Sequence, residues 1–181
     1  MSSVATLSGR ADSLPFGDVP LHVATHCGPG FSKKDLLYHI FQSPTVPEPK
    51  ASLFHGHWNA HDCTVLHTTK IDTTDTNISW GAEYYGDRLY QDPTTGQYNF
   101  VWGGNATLYT KGSYDVFLHN QGWPVYLWAR VASPEQFVNC GKLRWTSWSE
   151  ATLDGQVRPV VQFTLQSAPA NFCATHAQLF A

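Results

Sequence analysis

Apolar positions along the chain change period once. In residues 31–41, Leu36, Leu37, Ile40 and Phe41 recur at helical spacing and make one apolar face. Ser32 stands at the N-cap, and Asp35 follows three residues later, where its carboxyl reaches back in the manner of a capping box. Pro44, Pro47 and Pro49 then stop the helix and stiffen the connector. Beyond them β-branched and aromatic runs take over, at residues 63–71, 114–119, 124–131, 137–148 and 157–166. Turn-forming groups separate them, among them Asp92-Pro93-Thr94-Thr95-Gly96, Asn120-Gln121-Gly122 and Asp154-Gly155. This pattern predicts an α+β fold, a mostly antiparallel curved sheet or partly open β-barrel with one main N-terminal helix packed on it. Residues 1–19 are small, polar and interrupted by Pro15 and Gly17, which predicts a loose N-terminal segment. Residues 20–181 then read as a single sheet-dominated domain, without internal repeats.

Composition narrows the function classes. Of 181 residues, 14% are charged and 42% hydrophobic, with aromatics at 14% and a formal net charge of -3. Typical soluble domains carry about 25% charged residues, so uncharged polar side chains must cover much of this surface. The aromatic content is too high for a disordered chain. The mild acidity argues against a protein that coats DNA non-specifically through many phosphate contacts, but leaves room for one that reads a single nucleotide. No apolar run approaches the roughly 18 residues of a membrane helix, and the first 17 residues lack a basic start followed by an apolar block. The expected location is the cytoplasm, without a membrane partner. There, Cys27, Cys63, Cys140 and Cys173, widely spaced and without a Cys-x-x-Cys pair, read as buried thiols.

Several short elements occur in a suggestive order. Leu21-His22 precedes the capped helix, and Val65-Leu66-His67-Thr68-Thr69-Lys70 supplies a Thr-x-Lys strand. Tyr85-Gly86-Asp87-Arg88-Leu89 and Phe100-Val101-Trp102-Gly103-Gly104-Asn105 come next. Val116-Phe117-Leu118-His119, the aromatic strand around Cys140-Gly141, and Arg158-Pro159-Val160 complete the series. In this order, across about residues 20–170, the chain resembles the uncharacterised C-terminal domain of bacterial helicase-type restriction and defence proteins, also found beside HNH-type nucleases. Two positions depart from that pattern: Gly103-Gly104-Asn105 replaces a Gln-Ser-Gln loop, and His119 replaces an Arg. Both changes remove groups that hydrogen-bond a base or phosphate. The resemblance implies an SRA- or PUA-like fold and a nucleic-acid-recognition module in restriction–modification or antiviral defence, with DNA favoured over RNA. It also implies a nuclease or helicase effector.

The matched elements hold the residues such a reader needs. A pocket for a modified or extruded base requires an aromatic wall, polar groups for the base edge, and cations for the flanking phosphates. Tyr85, Trp102 and Trp145 are the expected stacking residues, with Tyr84 beside them. Asp87 and Asn105 are the expected edge readers, and Lys70, Arg88 and Arg144 the expected phosphate holders. Against this stands a plain structural reading, in which Trp102 and Trp145 fill the core and Asp87–Arg88 makes a turn or ion pair. The domain is read as a binder rather than an enzyme, with no catalytic residue and no cofactor.

Two alternatives stay open. Trp, Tyr, Asn and His on a sheet also suit a carbohydrate or small ligand. The run His55-Gly56-His57-Trp58-Asn59-Ala60-His61 could ligate a metal, because His-x-His on a strand shares one face, and a metal-dependent hydrolase would follow. No Gly-x-Ser-x-Gly elbow occurs. Gly28-Pro29-Gly30 lacks the Lys-Ser/Thr ending of a phosphate loop and reads as a turn before the Ser32 cap.

Overall fold

Strands dominate the computed structural model, which describes residues 16–18, 56–59, 63–71, 87–103, 124–132, 137–153 and 155–180. They are β1 (Gly17–Asp18), β2 (Gly56–Asn59), β3 (Thr64–Ile71), β4 (Arg88–Gln91), β5 (Tyr98–Gly103), β6 (Val125–Ala132), β7 (Val138–Leu153) and β8 (Gln156–Leu165). One short helix, α1 (Phe172–Thr175), and a 3-10 turn (Ala177–Leu179) follow. All eight strands belong to one sheet, in the order β2-β3-β6-β7-β8-β5-β4, with β1 added beside β7. Pairing is antiparallel except between β3 and β6. The sheet is therefore mixed, and among the described residues its end strands β2 and β4 do not pair with each other. The expected helix at 31–41 and the expected strand at 114–119 lie outside the described residues.

Local chemistry accounts for the two described hairpins. Between β4 and β5, Asp92 Oδ1 accepts the N–H groups of Thr94 at 2.7 Å and Thr95 at 3.0 Å, and Gly96 takes φ +74° to close the turn. Between β7 and β8, Gly155 takes φ +73°. The long β7 carries two irregularities. Near Gly141, φ +73°, the register against β6 shifts between Leu127 and Trp128. At Thr146 the register against β8 shifts again, so Trp145 faces Phe163 and Trp148 faces Val161. That extra residue keeps both indoles on the core side; without it, the two-residue period would have sent Trp148 to the other face.

The main core cluster lies on one face of the sheet. Cross-strand neighbours Leu66 and Leu127, Phe100 and Phe163, Trp102 and Val161, and Leu143 and Leu165 all point there. A fully buried Phe such as Phe163 contributes about 1.5–3 kcal/mol through lost apolar surface. The C-terminal segment extends this core. Phe172 meets Phe16 edge-on at 4.8 Å, Tyr98 at 5.4 Å and Phe180 at 5.1 Å. The Tyr98 hydroxyl donates to the Ala170 carbonyl at 2.7 Å and accepts the Cys173 N–H at 3.2 Å, which satisfies its polar end. Phe180 also bridges Leu89 in parallel register, bringing the last described residues against edge strand β4.

Candidate functional site

The predicted residues separate into two groups once placed on the sheet. Trp102 is 2% exposed and belongs to the core, so it does not form the wall of an accessible pocket. Its place is dictated by β5, where Tyr98, Phe100 and Trp102 share the core face at two-residue spacing. Trp145 packs half-buried against the same core, with its Nε1 buried and lacking a hydrogen-bond partner among the described residues. Asp87 is 7% exposed; its Oδ2 accepts the Thr68 hydroxyl at 2.9 Å and its Oδ1 accepts the Gly103 N–H at 2.8 Å. Those bonds tie β3 to β5, which makes Asp87 a structural cross-link rather than a reader of base edges. Lys70 Nζ donates to the carbonyls of Gln178 at 2.7 Å and Phe180 at 2.6 Å. It anchors the C-terminal segment. Tyr84, Tyr85 and Asn105 lie outside the described residues.

Arg88 and Arg144 meet a different fate. Both are exposed, and the register puts them on the face opposite the core. Two cross-strand rows run there over β4, β5, β8 and β7. One row reads Tyr90, Asn99, Thr164 and Arg144; the next reads Arg88, Val101, Gln162 and Ser147. The Arg88 guanidinium sits 5.0 Å over the Tyr90 ring. Thr164 Oγ1 donates to Asn99 Oδ1 at 3.1 Å, and the bulge residue Thr146 brings its hydroxyl to 3.4 Å from Thr164 Oγ1. Val101 and Thr164 are buried and form the floor, while Gln162, Thr146 and Ser147 stand in solvent.

Among the described residues of these two rows the charge is of one sign. Arg88, Arg144 and the half-buried Lys142, two residues before Arg144 on β7, supply cations. Neither row contains a carboxylate. The acid next along β4, Asp92, is held below the ordinary carboxylate range by the N–H groups of Thr95 and Thr94, so it is committed to its turn. Arg144 has no ion-pair partner among the described residues. What the face offers is two planar guanidinium groups for bidentate anion binding, one phenol ring, and a row of amides and hydroxyls.

Sequence reasoning missed Tyr90, Asn99, Gln162 and Thr164. Their signal was alternation: in Arg88-Leu89-Tyr90-Gln91 the apolar Leu89 turns inward and its neighbours outward. Four residues are too few for that alternation to stand out from a loop. A buried cation was missed as well. Arg130, 1% exposed on β6, lies 4.4 Å over the Phe137 ring.

Among the described residues the metal alternative gains no geometry. His57 pairs in register with Leu66, and His55 and His61 lie outside the described residues. Among the described residues no cluster of three or more His, Cys, Asp or Glu side chains could hold a metal. Cys63 and Cys140 are buried, and desolvation pushes the Cys140 thiol far up, outweighing a backbone contact from Ala129 that lowers it. It is held as the unreactive thiol. Among the described residues no helix is long and apolar enough to cross a membrane. No family model, curated protein or solved structure matches the chain.

Proposed function

We propose that the chain is a nucleic-acid-recognition module that binds on the solvent-facing side of β4, β5, β8 and β7. The observation that carries this reading is the shared face of Arg88, Tyr90, Asn99, Gln162 and Arg144, with one guanidinium already stacked on the ring. Arg88 and Arg144 hold phosphates, Tyr90 offers a platform for a base removed from its stack, and Asn99 and Gln162 supply donors and acceptors for its edge. Trp102 and Trp145 support this surface from beneath. DNA is the favoured ligand. The order of the sequence elements supports an SRA- or PUA-like arrangement and a nuclease or helicase effector in restriction or antiviral defence. The bulged β7, pairing in turn with β1, β6 and β8, is in keeping with a sheet that begins to curl.

Fluorescence anisotropy with labelled modified and unmodified oligonucleotides at rising salt tests the reading. Binding that weakens as salt rises supports it; absence of binding at low salt to every oligonucleotide overturns it. The Thr146, Thr164 and Asn99 hydroxyl–amide row beside Tyr90 favours one competitor, a neutral glycan. Glycan binding that ignores salt would select that competitor.

A further inference from the structure

Resting on that reading, we infer that the face takes single-stranded nucleic acid laid across the strands, rather than a duplex. The argument begins with width. Four adjacent strands, β4 to β7 through β5 and β8, separate Arg88 from Arg144 by three inter-strand steps, about 14 Å at roughly 4.8 Å each. Along the strand direction the two lie one row apart, about 7 Å. A major groove about 12 Å wide admits a helix or a two-stranded ribbon, so a face four strands across does not enter it.

Chemistry points the same way. Tyr90 is a half-buried ring on the outer face of the sheet, and a duplex keeps its base faces inside its own stack, where such a phenol has nothing to cover. A single strand exposes those faces, and aromatic stacking then supplies affinity without requiring many cations. Among the described residues the face exposes few: Arg88 and Arg144, with Lys142 half-buried, on a chain of net charge -3. Phosphates of a stacked strand recur about every 3.4 Å along its axis, so the roughly 16 Å between the arginine positions matches about five phosphates, and fewer where the bases are splayed. Between the end cations, the Asn99–Thr164 bond and the Gln162 amide lie beneath the middle bases.

The test is a titration of fluorescein-labelled oligothymidylates of increasing length against a mixed-sequence duplex of matched length, at two salt concentrations. Affinity should rise until about five nucleotides are present and then level off, with the duplex weaker than the longer single strands. Arg88→Ala and Arg144→Ala should each lower the slope of log affinity against log salt by about 0.7 on single strands. Tyr90→Ala should weaken binding about five-fold or more at unchanged slope. All three residues sit at the outer face, and circular dichroism checks that each variant keeps its fold. A duplex bound as tightly as the single strands, or slopes unmoved by both arginine variants, overturns the inference while leaving nucleic-acid recognition standing. Failure of every oligonucleotide to bind removes both.

Discussion

Around β6 both sides of the sheet are buried, whereas around β8 the side away from the core is buried only in part. On β6, Leu127 and Ala129 face the core cluster while Tyr126, Trp128 and Arg130 face the other way, and all five are buried. On β8, Val161, Phe163 and Leu165 are buried on the core side, while on the other side Arg158 and Thr164 are buried and Gln162 is exposed. Strand pairing follows the same division. The β3–β6 pair is parallel and the β8 neighbourhood is antiparallel throughout, the arrangement that tolerates one solvated face. A strand buried on both sides spends its side chains on packing. A strand buried on one side keeps alternate residues available, and these are where a ligand can be met.

Substitution on the outer face of each region should therefore differ sharply. Tyr126→Ala on β6 should destabilise by about 3–5 kcal/mol, read by urea unfolding, because it opens a cavity in a packed layer. A loss under 1 kcal/mol would mean that the layer is not packed. Asp87→Ala should follow at about 2–3 kcal/mol, since it leaves the Thr68 hydroxyl and the Gly103 N–H without their acceptor. Gly141→Ala should destabilise by about 1–2 kcal/mol from the left-handed φ alone, because an added Cβ would meet only ordinary contact with Ser167 at 3.8 Å. Gln162→Ala on β8 should stay within about 0.5 kcal/mol by the same measurement, the direct counterpart of Tyr126→Ala. Smallest is the pH effect of Asp92. Its folded pKa lies below 3.8, so its stabilising contribution is complete above that value and is lost as pH falls through the lower folded value. The stability difference between wild type and Asp92→Ala should shrink on acidification; a difference independent of pH would place the effect elsewhere.

The strands expected at 63–71, 124–131, 137–148 and 157–166 correspond to β3, β6, β7 and β8 within a few residues, save that β7 runs on to Leu153. Dense β-branched and aromatic runs are read easily because they suit a pleated, half-buried surface. The four-residue β4 and the β5 strand beyond the Asp92 turn were not read as strands. Of the eight expected ligand-contacting residues, Arg88 and Arg144 share an exposed face, Trp102 and Asp87 are buried, Lys70 holds the C-terminal carbonyls, and Trp145 packs on the core. Residue type indicates what a side chain is able to bind. It carries no record of which strand will lie opposite, and a bulge such as Thr146 reassigns the face of everything after it.

Alternation, turn chemistry and composition, all properties of neighbouring residues, were enough to determine a strand-rich chain and the positions of its main strands and hairpin turns. The β2-β3-β6-β7-β8-β5-β4 order was decided only by the tertiary structure, and with it which side of each strand meets solvent. The physical reason is that pairing between strands distant in sequence is chosen by burial of the whole sheet. A tryptophan and an arginine two strands apart acquire their roles, one as floor and one as surface, only when that burial is complete.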